Sequence, residues 1–354
     1  MGRIFRLSEK KEYLKETISL IEESLSYENQ FHFSIDFAPL IDQSNLHNCY
    51  ILLNEDQKVI GHIGTREKLM TFPQSETKKK VSPQRFPVTL IGGVCIHKNF
   101  RGKGYFQEIF NHVIAEKKYD STFFMLWSDL ESVYKKFGFY LCGTQYETTR
   151  EMLYSESEFI LETLTFQKTK YHLLSSKSKN QIQHLYNSSF RSHHLTFERS
   201  QSEWTLIEKM TSLDLFIREK NNQIIDYFFM NKGQDLQNII FEYGSIKNEH
   251  LLLKEICHYG KIWSSFPVHR DSQKQFQFFL SPGNPHLFFQ FVECFTQNKI
   301  SPTSLNLIKN DIQFIFDNKS FSLSLDQFLQ GLFGPSTFED LELPRFFVSG
   351  NDSV

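Results

Sequence analysis

The spacing of apolar residues at the start of the chain changes from that of a strand to that of a helix and back. RIFRLSE (residues 3–9) predicts a short strand, and apolar residues at helical spacing over 14–25 predict a helix after it. NCYILLNEDQKVIGHIGTREKLMTF (48–72) predicts two strands joined at a polar turn. The chain therefore opens as a strand, a helix and a β-hairpin.

A second series of elements follows the hairpin. PVTLIGGVCI (87–96) predicts a strand, and an amphipathic helix comes after it. A buried strand is predicted at STFFMLWSD (121–129), and a short helix at ESVYKKFGF (131–139). The next strand is predicted from Tyr140 to about Met152. The intervening PQSETKKKVSPQR (73–85) predicts a solvated loop, for which substrate gating is the alternative.

The second half partly repeats the first. FIREKNNQ (216–223) matches YILLNEDQ (50–57) in its aromatic, Ile, polar turn and Gln positions, and an apolar strand follows each. IIDYFFMNKGQDLQNIIFEYG (224–244) then predicts strand, turn and strand. Where a repeat of the first half would carry a glycine-rich turn, this half has only EYGSIKNEH (242–250). We therefore predict a second sheet of the same plan without a ligand-binding turn.

Size and composition narrow the class of protein. A chain of 354 residues is long enough for two domains, and a formal net charge of -2 gives no support for nucleic-acid binding. The cysteines are widely spaced without a Cys-x-x-Cys pair, so we predict reduced thiols, no metal site and a cytoplasmic location. The sequence contains neither the apolar core of a signal peptide nor an apolar run of bilayer length, so no membrane partner is expected.

The most informative stretch is GGVCIHKNFRGKGYFQEIFNHVIAE (92–116), where a strand runs into a basic glycine turn and then directly into a helix. A turn at a helix start leaves several main-chain N–H groups unpaired at the positive end of the helix dipole. Gly102 and Gly104 leave the main chain accessible, while Arg101 and Lys103 add positive charge. The stretch therefore predicts a phosphate-binding turn, although it is neither a Walker A loop nor a full dinucleotide motif.

This turn resembles the coenzyme A pyrophosphate loop of the GNAT superfamily of acyl-CoA-dependent N-acetyltransferases. The pattern of that family is a V-x-V/I strand followed by R/Q-x-x-G-x-G/A at a helix start. Its strand positions are taken here by Val94, Cys95 and Ile96. Arg101 and Gly104 take the loop positions, whereas Phe106 stands where Gly or Ala is usual. A second match is the short helix with Tyr134 and its Gly-Phe ending at 138–139.

The resemblance implies a fold and a set of site residues. It covers residues 3 to about 152 and implies an α+β fold, with a mixed, mostly antiparallel sheet flanked by helices, here in two tandem copies. Acetyl-CoA is implied as the acyl-donor substrate, and Tyr134 as the acid that protonates the coenzyme A thiolate. The tyrosine pKa, ordinarily about 10, lies near that of an alkyl thiol. The residues implied to bind acetyl-CoA are Val94, Cys95, Ile96, Arg101, Gly102, Lys103, Gly104, Tyr105 and Ser128.

The general base is not identified by the sequence. VTLIGG (88–93) offers only Thr89 where some family members have a glutamate, and His97 beside the turn is the other titratable candidate. Transfer of the proton through water or directly to solvent is also compatible with the sequence. Certain multidomain members bring a C-terminal carboxylate into the active site, which makes the carboxylate of Val354 a further hypothesis.

The resemblance predicts an N-acetyltransferase that moves an acetyl group from acetyl-CoA to a primary amine of a small molecule or peptide by direct transfer. We assign residues 1–152 to the catalytic GNAT domain and 153–354 to a GNAT-like domain that shapes the acceptor site or an interface. The alternatives are a non-catalytic acyl-CoA-binding regulatory protein and an aminoacyl or peptidyl transferase built from paired GNAT domains. Neither the acceptor nor the oligomeric state follows from the sequence.

Overall fold

The computed structural model of the chain describes residues 2–72, 84–153, 165–336, 338 and 341–354. The strands of the first half are β1 (Arg3–Arg6), β2 (Cys49–Leu53), β3 (Val59–Thr71), β4 (Arg85–Ile96), β5 (Phe123–Leu126) and β6 (Tyr140–Thr148). Its helices are α1 (Leu14–Ser24), α2 (Phe33–Asp36), α3 (Ala38–Ile41), α4 (Tyr105–Lys117), α5 (Glu131–Tyr134) and α6 (Arg150–Leu153).

The elements predicted for the first half are confirmed in type and order, with one correction. The strand expected to reach about Met152 ends at Thr148, because α6 begins at Arg150 and turns the chain away from the sheet. Most of the predicted solvated or gating loop, residues 73–83, lies outside the described residues.

The second half continues the same numbering. Its strands are β7 (Gln167–Thr169), β8 (His194–Phe197), β9 (Asp214–Lys220), β10 (Gln223–Lys232), β11 (Leu236–Ser245), β12 (Lys261–Ser264), β13 (Gln273–Pro282), β14 (Ile300–Asn306), β15 (Asp311–Phe316), β16 (Lys319–Ser324) and β17 (Arg345–Phe346). Its helices are α7 (Ser176–Leu185), α8 (Arg191–His193), α9 (Gln201–Lys209), α10 (Glu249–Ile256), α11 (Pro285–Phe295) and α12 (Leu325–Phe333).

The fold is α+β, and the same arrangement of elements occurs twice. β1 to β4 pair antiparallel in sequence, β4 pairs parallel with β5, and α4 connects these two strands. In the second half β7 and β9 to β11 pair antiparallel, β11 pairs parallel with β12, and α10 makes the connection. The predicted second copy of the sheet is therefore confirmed.

The two copies exchange strands at the centre of one continuous sheet. Its order is β1-β2-β3-β4-β5-β13-β6-β12-β11-β10-β9-β7, so β13 lies between β5 and β6, and β6 lies between β13 and β12. Each copy is completed by a strand from the other half of the chain. The predicted boundary at 152 falls just after β6, which is one of the exchanged strands.

The last part of the chain adds a small separate sheet that the sequence pattern did not reveal. Strands β14 to β16 form an antiparallel sheet of their own, flanked by α11 and α12. Apolar side chains of both helices, many of them phenylalanines, are buried in one core with the first-half strands β4 and β5. Beyond α12, β17 pairs with β8, which in turn pairs with β3 of the first half.

Candidate functional site

The site is centred on the part of β4 that lies beyond its pairing with β5. The parallel register of these strands runs from Val88–Phe123 to Leu90–Met125, whereas β4 continues to Ile96. Over this continuation β4 remains paired with β3 on its other side. Main-chain groups from Ile91 onward therefore border a gap between β4 and β5.

Two adjacent glycines bend β4 at this gap. Gly93 has a φ of 58°, and the register with β3 shifts between His62 and Gly64 at the same point. A β-bulge of this kind changes the direction of the strand and leaves one main-chain group unpaired. At Gly92 an added Cβ would lie 2.4 Å from the carbonyl carbon of Val354, so only glycine leaves room for the tail of the chain.

The basic glycine turn between β4 and α4 is open. Gly102 and Gly104 have φ values of 74° and 85°, and an added Cβ at either would have no described heavy atom within 4 Å. Gly104 is the N-cap of α4, and no described side chain caps this helix start. Its first amides are therefore available to an anion at the positive end of the dipole.

The charged residues of the turn are exposed beside those amides. The Nε of Arg101 donates a hydrogen bond of 2.9 Å to the Ile96 carbonyl, which ties the turn to the end of β4. The Lys103 ammonium lies 5.2 Å from the centre of the Phe100 ring. Tyr105 is partly buried at the first position of α4. The turn thus combines free amides with two cations.

The remaining predicted strand residues offer their main chain rather than their side chains. Cys95 is buried on the face of the sheet covered by α1, and burial raises the pKa of its thiol to about 12. Val94 and Ile96 pack toward the opposite face, which is covered by α4. Only peptide groups of these residues are therefore placed to bind a ligand in the gap.

Tyr134 lies beside the start of α4. Its ring is 6.1 Å from the Phe106 ring and also contacts Phe110, Phe139 and Phe279. Phe106, which replaces the usual small residue of the motif, turns its side chain toward Tyr134 and Phe137, so it does not fill the turn.

The Tyr134 phenol is protonated at neutral pH. Burial raises the pKa of this group to about 12, and a hydrogen bond with Ser128 opposes the shift. Ser128 also accepts a hydrogen bond of 3.1 Å from the Leu130 amide, which fixes the position of its hydroxyl. The predicted acid and the predicted Ser128 are thus in contact.

Thr89 and His97, two of the candidates for a general base, are both hydrogen-bonded to neighbouring groups. The Thr89 hydroxyl is buried and hydrogen-bonded to the Ser121 hydroxyl, within the paired part of β4. His97 is the N-cap of the 3-10 helix Lys98–Phe100, where its Nδ1 accepts a hydrogen bond of 3.3 Å from the Asn99 amide.

His62 lies next to the bend of β4 at Gly93, and the sequence pattern did not identify it. Its ring is fully buried on β3, and Nδ1 lies 2.7 Å from the Gly93 carbonyl oxygen. Burial lowers the pKa of the ring to about 4, so His62 is neutral at pH 7. A histidine inside an apolar strand gives no signal of this contact, because it depends on the bulge at Gly93.

A buried charged cluster was also missed. It joins β3, the segment before α9, β11 and the tail of the chain through Lys68, Arg199, Glu242 and Asp352. Each of these residues is unremarkable in the sequence, and only the fold brings them together.

The second copy lacks an open turn at the equivalent place. There the N-cap of α10 is Asn248, whose side chain accepts a hydrogen bond of 3.1 Å from the Leu251 amide. The helix start that would bind an anion is therefore closed by its own side chain.

The described residues contain neither a metal-binding cluster nor a helix of membrane-spanning length. No group of three or more His, Cys, Asp or Glu side chains among them is arranged to hold a metal ion. No helix in the described ranges is long and apolar enough to cross a bilayer.

Residues 14–139 match the family model of the acetyltransferase (GNAT) family. No curated protein sequence matches the chain significantly. Among solved structures, a probable N-acyltransferase from Enterococcus faecalis is similar at 13% identity and a TM-score of 0.57, over 92% of this chain and 85% of that one.

Two further structures are similar over most of their length. Eis1 from Mycobacterium abscessus has 10% identity and a TM-score of 0.56, over 94% of this chain and 90% of its own. The N-myristoyltransferase of Saccharomyces cerevisiae, solved with bound myristoyl-CoA, has 13% identity and a TM-score of 0.51, over 79% of this chain and 82% of its own. At these identities the similarity shows the fold.

Proposed function

We propose, from the match of residues 14–139 to the family model of the GNAT acetyltransferases, that the chain moves an acetyl group from acetyl-CoA to a primary amine. The family match and the similar fold of a probable N-acyltransferase support an acyltransferase activity. The observation that supports the proposal best is the open turn at Gly102–Gly104, which follows the part of β4 that is no longer paired with β5.

The donor side of the reaction is assigned to the turn and to β4. Amides between Arg101 and Tyr105 would bind the diphosphate of coenzyme A, with Arg101 and Lys103 adding charge. Peptide groups of β4 from Ile91 to Ile96 would hydrogen-bond the pantetheine arm and polarise the thioester carbonyl. Acyl-CoA donors in general suit this arrangement, and acetyl-CoA is the donor we propose.

Tyr134 is proposed as the general acid. The amine nitrogen attacks the thioester carbonyl, the C–S bond breaks, and the phenol gives its proton to the departing thiolate. Because burial raises the pKa of Tyr134 from 10 to about 12, this transfer is less favourable than from free tyrosine by about 3 kcal/mol. The same shift keeps the phenol protonated before the reaction.

The acceptor side is assigned to the other face of the sheet. Tyr134 and Phe106 belong to the core under α4, whereas Cys95 and Val354 pack in the core under α1. The gap beside β4 connects the two faces. The main chain of Val354 lies against Gly92 there, and the proton of the attacking amine is proposed to leave through water to solvent.

The proposal is tested by binding and turnover measured separately. Isothermal titration should show acetyl-CoA binding to the wild-type protein, and Arg101→Glu should abolish it without loss of the folded state. Lys118→Glu is the matched control, because it reverses an exposed charge at the far end of α4. Thiol release from acetyl-CoA with a panel of primary amines then measures transfer, and binding without release would favour the non-catalytic alternative.

A further inference from the structure

The tail of the chain, residues 345–354, is held to both copies of the fold. β17 pairs parallel with β8 through Arg345–His194 and Phe346–Leu195. Gln277 of β13 then donates a hydrogen bond of 3.1 Å to the Val348 carbonyl. The direction of the tail is therefore set by strand pairing and by this side-chain hydrogen bond before the last residues are reached.

Asp352 is the charged anchor of these last residues. Its carboxylate is 1% exposed and accepts hydrogen bonds from Arg199, the shortest being 2.7 Å from Nη2 to Oδ2. The Lys68 ammonium of β3 lies 2.9 Å from the other oxygen. Although burial alone would raise the pKa of Asp352, the two cations hold it well below its usual range. Asp352 is thus ionised in the folded protein.

Arg199 is itself fixed on all sides. Its guanidinium is fully buried and pairs with Glu242 of β11 at 2.9 Å between Nη1 and Oε1. It also lies 4.0 Å from the ring centre of Tyr186 and 4.8 Å from that of Trp204. The bidentate pair with Glu242 and the two aromatic rings together hold the planar guanidinium in a single orientation. The position of Asp352 is consequently defined by groups that do not move with the tail.

The peptide groups on both sides of Asp352 are held as well. The buried side-chain nitrogen of Lys232 donates hydrogen bonds of 2.8 Å to the Gly350 carbonyl and 2.7 Å to the Ser353 carbonyl. Val354 follows directly, and an extended chain spans at most about 3.6 Å per residue. Fixing Asp352 and Ser353 therefore restricts Val354 to the space over Gly92.

Such a buried cluster needs an explanation other than stability. Replacing buried ion pairs by apolar residues is often neutral or stabilising, because desolvation of the charges offsets their attraction. What a fully paired cluster does provide is a single arrangement of the segments that carry the charges. Here those segments are β3 of the first copy, β11 of the second and the tail.

We propose that Asp352 is a positioning residue for acyl transfer, whose pairing with Arg199 and Lys68 holds Val354 against Gly92 at the gap beside β4. This role rests on the proposed function, since it concerns the acceptor side of the same site. Asp352 itself lies in the buried cluster and acts through the tail.

The test compares Asp352→Asn with the wild-type protein. The substitution keeps the shape of the side chain and removes its charge, so the tail loses its anchor while the turn at 101–105 is untouched. We expect kcat for thiol release with acetyl-CoA and lysine, spermidine or a lysine peptide to fall at least tenfold. The dissociation constant of acetyl-CoA from titration should change less than twofold.

The matched control is Asp226→Asn, which removes a buried carboxylate 2.7 Å from Arg218 in the second copy. It should lower stability without lowering kcat. If Asp352→Asn does not fold, Gly92→Ala serves instead, because its Cβ would clash with the main chain of Val354 and leaves Lys68, Arg199 and Asp352 unchanged; the same loss of kcat is expected.

The outcomes separate this role from the proposed function. Wild-type kcat in Asp352→Asn, or in Gly92→Ala, overturns the positioning role and leaves the enzyme assignment intact. An equal loss of kcat and of acetyl-CoA affinity in Asp352→Asn also overturns it, because a general structural defect would explain both. A wild-type protein that binds acetyl-CoA but releases no thiol with any of these amines overturns the proposed function and this role together.

Discussion

Gly104 allows binding and folding to be perturbed separately. Its φ is 85°, and an added Cβ would have no described heavy atom within 4 Å, so Gly104→Ala creates no clash. The remaining cost is the left-handed backbone, which destabilises a residue with a Cβ by about 1–2 kcal/mol. We therefore expect a folded variant with a modestly lower midpoint of thermal unfolding.

The same Cβ should weaken acetyl-CoA binding strongly. It projects into the open space in front of the first amides of α4, where the diphosphate is proposed to lie. Loss of one hydrogen bond to a charged group costs about 1.5–3 kcal/mol. The dissociation constant should accordingly rise roughly 10- to 150-fold.

Titration calorimetry measures the affinity and thermal unfolding measures the stability. Gly138→Ala is the control, since Gly138 has a φ of 77° and its added Cβ would lie 3.7 Å from the nearest atom, Ser281 Oγ, outside the turn. Both variants should lose similar stability, and only Gly104→Ala should lose affinity. Wild-type affinity in Gly104→Ala would refute the reasoning, because the turn would then not contact the ligand.

The remaining predictions concern the acid, the closed turn and pH. Tyr134→Phe should lower kcat at least tenfold with acetyl-CoA affinity changed less than twofold, and equal losses would argue against the acid role. Asn248→Ala should lower the free energy of unfolding by about 1 kcal/mol in denaturant without affecting acetyl-CoA binding. Burial lowers the pKa of His62 and His194 from 6.5 to about 4. Between pH 6.5 and pH 4 the unfolded chain therefore binds more protons than the folded one. As the pH is lowered from 7.5 to 5, the free energy of unfolding should decrease by roughly 2 kcal/mol for each histidine. A flat profile over this range in urea would contradict their buried, neutral state.

The local elements and the turn follow from the sequence because their signals are local. The apolar spacing that predicts β4 and α4 can be read from residues that are close together in the sequence. Gly102 and Gly104 indicate the open turn directly. The second copy was predictable in the same way from its hairpin pattern and from the polar EYGSIKNEH that replaces the turn.

The strand exchange and the charged cluster do not follow from the sequence. The position of β13 between β5 and β6 depends on contacts between residues far apart in the chain. The sequence pattern of β13 does not predict which strands pair with it. Likewise, Asp352 in a polar tail and Arg199 in a short loop look like solvated residues. Their burial results from the packing of the tail between the two copies.

The most direct test of the account is a structure of the protein with coenzyme A. The account predicts that diphosphate oxygens lie about 2.7–3.2 Å from main-chain nitrogens between Arg101 and Tyr105, with the pantetheine arm along β4 toward Tyr134. A coenzyme bound elsewhere, or a diphosphate held only by side chains away from this turn, would contradict it.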